Sequence, residues 1–123
     1  ALVLTAGPGE EDKVTALSNL MNLTPHIVFH STEGLDNFSK HIAFADLFVS
    51  GSTGPLHIAG ALNVPTAAFY TRRRSATPLR WQTLNTPDRR LAFTPPETAD
   101  EIDMGKIDID AAADEINKKF LKN

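Results

Sequence analysis

The stretch FVSGSTGPLHIAG, Phe48 to Gly60, decides how this chain folds. Leu47, Phe48 and Val49 run into Gly-Ser-Thr-Gly at positions 51 to 54, Pro55 follows, and His57 sits inside an otherwise apolar helical pattern. An apolar run of strand length that breaks at glycine and restarts with proline reads as a strand giving way to a helix. Thr53 is placed to cap that helix, and Pro55 suits its first position because the missing N–H would have had no partner there. Gly51 and Gly54 permit positive φ and close approach of a ligand to the backbone. The N–H groups of the first turn then point outward. With the positive end of the helix dipole and the hydroxyls of Ser52 and Thr53, they make an anion site. The turn alone reads either as this or as an ordinary helix cap, which Gly and Ser also build and which is the commoner of the two. Neither familiar nucleotide fingerprint, G-x-x-x-x-G-K-S/T or G-x-G-x-x-G, is present.

Working outward, short apolar strands alternate with amphipathic helices. Ala1 to Thr5 reads as a buried-type strand broken by Gly7-Pro8-Gly9, and a helix from about Glu10 to Met21 carries Val14, Leu17, Leu20 and Met21 as its core face. His26 to His30 is a second strand; Ser31 to Gly34 turns into a helix with Leu35, Phe38, Ile42 and Ala45 on one face. Asp46 to Ser50, Thr66 to Tyr70 and Arg90 to Thr94 read as further strands, with a helix from Pro55 to about Asn63 and an arginine-rich loop from Thr71 to Pro87. Asp108 or Asp110 caps a last helix carrying Ile109, Ala113, Ile116 and Phe120. This alternation predicts an α/β, Rossmann-like parallel sheet with helices on both faces, in which ligands bind beyond the carboxyl ends of the strands. The Gly-Ser-Thr-Gly turn lies at one of those ends.

At 123 residues and 41% hydrophobic content the chain fits one domain with a real core. It holds nothing near the roughly 18 to 20 continuous apolar residues of a membrane span. With no cysteine there is no disulfide framework and no thiolate metal site, and His26, His30 and His41 have no spacing that points to metal, so neither metal nor cofactor is expected. A chain that opens without methionine inside the run ALVLTAG is expected to continue on its N-terminal side. The net charge of -3 does not describe a nucleic-acid coat. It hides a segregation: Arg72, Arg73, Arg74, Arg80, Arg89 and Arg90 have only Asp88 among them, whereas Glu97 to Glu115 holds eight acids and one lysine. An arginine cluster serves phosphates or acidic lipid, or is simply a solvated loop. His57, in the first turn of its helix, is expected to donate one hydrogen bond and accept another close to whatever occupies the turn.

FADLFVSGSTGPLHIAGALNVPTAAFY resembles the donor-binding half of glycosyltransferase family 9, which contains the ADP-heptose:lipopolysaccharide heptosyltransferases. There a strand leads into Asp-Thr/Ser-Gly-x-x-His-x-x-x-Ala-x-x-x-Pro; here Thr53, Gly54, His57, Ala61 and Pro65 match, and Ser52 stands where the family has its acid. The resemblance runs from Ala1 through the PLRW segment ending at Trp81. It implies the C-terminal half of a two-domain GT-B enzyme, without the first strand-helix unit of that half, so that residues 1 to 123 are expected to be a single donor-binding domain of a longer protein and inactive alone. It also implies transfer of heptose from ADP-heptose to the lipopolysaccharide inner core, with inversion, by attack of an acceptor hydroxyl activated by a carboxylate of the other domain. No catalytic residue then lies in this chain. Ser52, Thr53, Gly54 and His57 would hold the diphosphate and sugar; Glu10, with Glu11 next, would hold the ribose hydroxyls; Thr32 and Glu33 would lie along the adenine. Arg72, Arg73, Arg74 and Arg80 would meet phosphate of the donor or of the lipid A and core acceptor, which itself would bind through the N-terminal domain. The implied place is the cytoplasm, with peripheral association at the inner face of the inner membrane. A hexosyltransferase or epimerase of the same architecture, or a non-catalytic nucleotide-binding module, remains open on the same residues.

Overall fold

The computed structural model describes residues 2–73 and 81–121, and the chain divides into two compact units, Ala1–Lys40 and His41–Asn123. In the first, β1 (Val3–Ala6) and β2 (Ile27–His30) pair in parallel, Val3 opposite Ile27 and Ala6 opposite His30. A parallel pair needs a crossover, and α1 (Glu11–Leu20) supplies it. The entry to α1 is a tight turn: Glu10 N donates to Gly7 O across 3.1 Å. Pro8 and Gly9, the latter at φ 85°, occupy its two central positions, the residue pair a type II turn requires. On α1 only Val14 is buried; Leu17 and Leu20, expected in the core, are exposed, Leu20 by 83%. Two strands about 4.8 Å apart present a narrower surface than the roughly 10 Å width of a helix, and one row of α1 fills it. α2 (Gly34–Ile42) starts from Gly34 at φ 87° and sets Phe38 on Phe29 of β2, ring centroids 6.0 Å apart. Leu35, expected on the same buried face, is exposed.

The second unit contains β3 (Phe48–Gly51), α3 (Gly54–Ala61), β4 (Thr66–Phe69), β5 (Arg90–Phe93) and α4 (Ile109–Ile116). Its three strands run parallel in the order β3-β4-β5. The central strand reads TAAF, and its small residues let flanking groups close over it: Thr66, Ala67 and Ala68 are buried. Leu56 of α3, wholly buried, joins Ala68 and Tyr70 in the core with Phe48 against them. Phe69 stacks on its register partner Phe93 at 5.2 Å. Asp108 caps α4, its carboxylate accepting from Ala111 N at 3.0 Å. The face of α4 differs from the expected one by a residue: Ala112 is buried and Ile116 half-buried, while Ile109 and Ala113 are exposed. The buried Ile107, before the helix, takes the place expected of Ile109. The fold is therefore α/β and Rossmann-like: among the described residues the first unit holds a parallel pair of strands and the second a parallel three-stranded sheet.

Candidate functional site

Within the second unit the turn after β3 is held from inside. Ser50 Oγ donates to Gly51 O at 2.9 Å and lies 3.2 Å from Thr53 Oγ1. Thr53 is the N-cap residue of α3, with extended backbone at φ -139° and ψ 168°, yet its side chain makes no cap hydrogen bond. The capping hydroxyl expected from the sequence is turned to Ser50 instead. Pro55 falls at the second helical position rather than the first, and the first turn keeps backbone donors without a side-chain acceptor. Gly51, Ser52, Thr53 and Gly54 are all exposed around it.

The glycines here carry a different message from the expected one. Neither Gly51 nor Gly54 has positive φ; in the described residues that conformation belongs to Gly9, Gly34 and Asn63. A Cβ on Gly54 would meet nothing within 4 Å, so neither backbone conformation nor crowding demands a glycine there. What remains is the open space itself, directly before the uncapped helix end.

His57 is half-buried in that first turn, its N–H reaching Thr53 O at 3.4 Å, and its ring lies 6.1 Å from that of Trp81, inclined by 57°. Trp81 was not singled out from the sequence, and its signal was local only: a lone indole in a polar loop. Its place is set from a distance, because the buried Tyr70 hydroxyl donates to Trp81 O at 3.0 Å. Burial pushes the Tyr70 pKa up, partly opposed by the charge of Arg90, so the phenol remains a donor beyond the ordinary tyrosine range. Asn85, also buried, ties the rest of the loop. Its Nδ2 donates to Val64 O, Thr66 Oγ1 and Arg89 O at 3.1, 2.9 and 2.8 Å, and its Oδ1 accepts from Thr83 Oγ1 at 2.6 Å. Arg90 adds bonds to Thr83 O and Asn85 O. Gly60 of α3 meets this loop so closely that a Cβ would stand 2.8 Å from Thr83 Cβ and 3.0 Å from Leu84 N.

The arginines divide. Arg72 is tied to the acidic segment, its N–H donating to Glu101 O at 2.7 Å and Nη2 to Ala99 O at 2.5 Å. Its Nε, and Thr71 Oγ1 beside it, are buried with no hydrogen-bond partner. Arg73 is exposed, and Arg74 and Arg80 lie outside the described residues. A cavity of about 340 Å³ lined by Tyr70, Thr83, Arg90 and Leu91 among others contains none of the candidate residues.

In the first unit Glu10, Glu11, Thr32 and Glu33 are exposed on the segments that follow the carboxyl ends of β1 and β2, as the sequence placed them. Glu10 folds back on its own turn, its carboxylate accepting from Gly7 N at 2.8 Å. His26 is structural: Nδ1 donates to Thr24 O at 2.6 Å, and Nε2 lies 2.7 Å from the Ser18 hydroxyl. Among the described residues no group of three or more His, Asp or Glu could hold a metal ion, and no helix is long and apolar enough to cross a membrane.

The sequence model of glycosyltransferase family 9 (heptosyltransferase) matches residues 1–101. A Haemophilus influenzae protein named "Putative glycosyltransferase" is 43% identical over 123 residues, a match that takes in 99% of this chain and 35% of that protein. The chain thus spans little more than a third of that relative's length. No solved structure matches it. Both units contribute to the matched region, including the turn between β3 and α3 with His57 beside it, and the chain belongs to glycosyltransferase family 9.

Proposed function

We propose that these residues form the donor-binding domain of an enzyme that transfers heptose from ADP-heptose to the lipopolysaccharide inner core, working at the cytoplasmic face of the inner membrane. The observation that carries this reading is the uncapped N-terminus of α3 behind the exposed Gly51–Gly54 turn, with empty space at Gly54 where a side chain would otherwise fit. A diphosphate there accepts the first-turn N–H groups and meets the positive end of the helix dipole. The hydroxyls of Ser52 and Thr53 add donors, and His57 reaches the sugar or its adjoining phosphate. As the glycosidic bond breaks, negative charge grows on the departing diphosphate, and fixed donors of this kind stabilise it without reorganising. Arg73, Arg74 and Arg80 supply positive charge on the loop after β4. Arg72, committed to two carbonyls, is better placed to hold the loop than to reach a ligand.

Glu10 and Glu11 are assigned to the ribose hydroxyls, with Thr32 and Glu33 along the adenine; Glu10 would exchange its bond to Gly7 N for the ligand. A second reading, another nucleotide-sugar enzyme such as a hexosyltransferase or epimerase, is favoured by Ser52, whose hydroxyl replaces a carboxylate at the sugar end of the turn. Titrating the full-length protein with ADP, UDP, GDP and ADP-heptose, then assaying heptose transfer to a heptose-deficient lipopolysaccharide, separates the two. Binding and transfer with ADP-heptose support the first; preference for a UDP or GDP donor refutes it.

A further inference from the structure

Trp81 is a large aromatic side chain left 45% exposed at the start of a segment, residues 81 to 90, that is firmly tied down. Tyr70 holds its carbonyl, Asn85 and Arg90 hold the residues just beyond it, and Gly60 lets α3 close against Thr83 and Leu84. An indole on a mobile loop would lose freedom on binding a ligand, whereas one on an anchored loop has already lost much of it. Its ring is also set beside His57, in the first turn of the helix whose uncapped end faces open space. A flat, half-exposed π-face next to a hydrogen-bonding imidazole suits a ring that is apolar on its C–H face and polar at its rim, which is the chemistry of a pyranose.

We propose that Trp81 is a binding residue for the donor: its indole face stacks on the sugar ring of the nucleotide sugar while His57 hydrogen-bonds the rim. This rests on the reading of the α3 turn as a diphosphate cradle, and it adds to that reading the residue that distinguishes a nucleotide sugar from the bare nucleotide. Tyr70 acts through Trp81 as a positioning residue.

The test is calorimetric titration of the full-length protein, wild type, Trp81→Ala and Trp81→Phe, with three pairs of probes: ADP and ADP-heptose, UDP and UDP-glucose, GDP and GDP-mannose. For whichever nucleotide sugar the wild type binds, Trp81→Ala is expected to weaken it roughly tenfold while the parent nucleotide changes by less than about twofold, and Trp81→Phe is expected to recover most of the loss. An equal loss for nucleotide and nucleotide sugar, or no loss for either, overturns the proposal. The selective loss with a UDP or GDP sugar upholds Trp81 and overturns only the ADP-heptose assignment. Absence of binding by the wild type to all six overturns both.

Discussion

β2 and β4 are both four-residue strands in parallel sheets, and the more apolar of the two is the less buried. Ile27 of β2 is 61% exposed and Val28 is open as well, whereas Ala67 and Thr66 of β4 are wholly buried. The difference lies in neighbours: among the described residues β4 has a hydrogen-bonded strand on each side, while β2 has β1 alone. Position in a sheet, more than side-chain character, decides what leaves water. The loops beyond these strands differ in the same sense. Those of the first unit are held by local bonds such as Gly7 N to Glu10, and that of the second by the buried Asn85, which reaches back 21 residues to Val64.

The largest test of that contrast is Asn85→Ala, which deprives several buried groups of their partner at once. It should cost about 3 kcal/mol, read as faster amide exchange at Ala67 and Ala68 in the full-length protein. Glu10→Ala, removing one exposed bond, should leave the amides of β1 within about 0.5 kcal/mol of wild type. Equal losses would erase the contrast. Next, His57→Ala should lower transfer roughly 100-fold with little change in thermal stability, as loss of a preorganised donor does. A matching fall in melting temperature would make His57 structural. Gly54→Ala follows: with negative φ and no neighbour within 4 Å the methyl fits the free protein, so affinity for a nucleoside diphosphate should fall about tenfold while the melting temperature stays put. Unaltered binding would remove the cradle from α3.

The smallest effect is one of pH. Because burial raises the Tyr70 pKa above its ordinary value of 10.0, the unfolded chain releases this proton first as pH rises. Stability from the buried phenol is thus full below about pH 10 and declines as pH climbs through the folded-state value. Tyr70→Phe should flatten that alkaline decline in a series of melting curves; an unchanged slope would assign it to other groups. At the acid end Asp88, held below its ordinary value chiefly by the Thr86 hydrogen bond, contributes in the opposite sense: its share is present above about pH 4 and fades as pH falls.

The strands, helices and the turn at 51–54 were legible because their signals are local: apolar runs, helical spacing, glycine and proline at the breaks. The alternation also gave the class of fold. It could not give strand partners, which is why the exposure of Leu17 and Leu20 came as a difference; a helix face implies burial only when the sheet beneath is wide enough. The hydroxyl of Thr53 was a cap by residue type, and only the structure shows Ser50 competing for it. The bond from Tyr70 to Trp81 spans 11 residues with no period to announce it, and so nothing local in the PLRW segment sets its indole beside His57. The positive φ expected of Gly54 from residue type is absent: its φ is ordinary, and nothing lies within 4 Å of where a Cβ would stand.

Gly60 lies on the far end of α3 from the candidate ligand, yet its contact with Thr83 has a genetic corollary. In a saturation library of the full-length gene selected for transfer, codon 60 should tolerate almost no replacement. Revertants of a Gly60→Ala allele should arise at codon 83 or in the neighbouring backbone positions, not around the turn at 51–54. Residues 60 and 83 would then be inherited as a pair, and a sequence that has changed one without the other should show its lesion as a misplaced Trp81 loop.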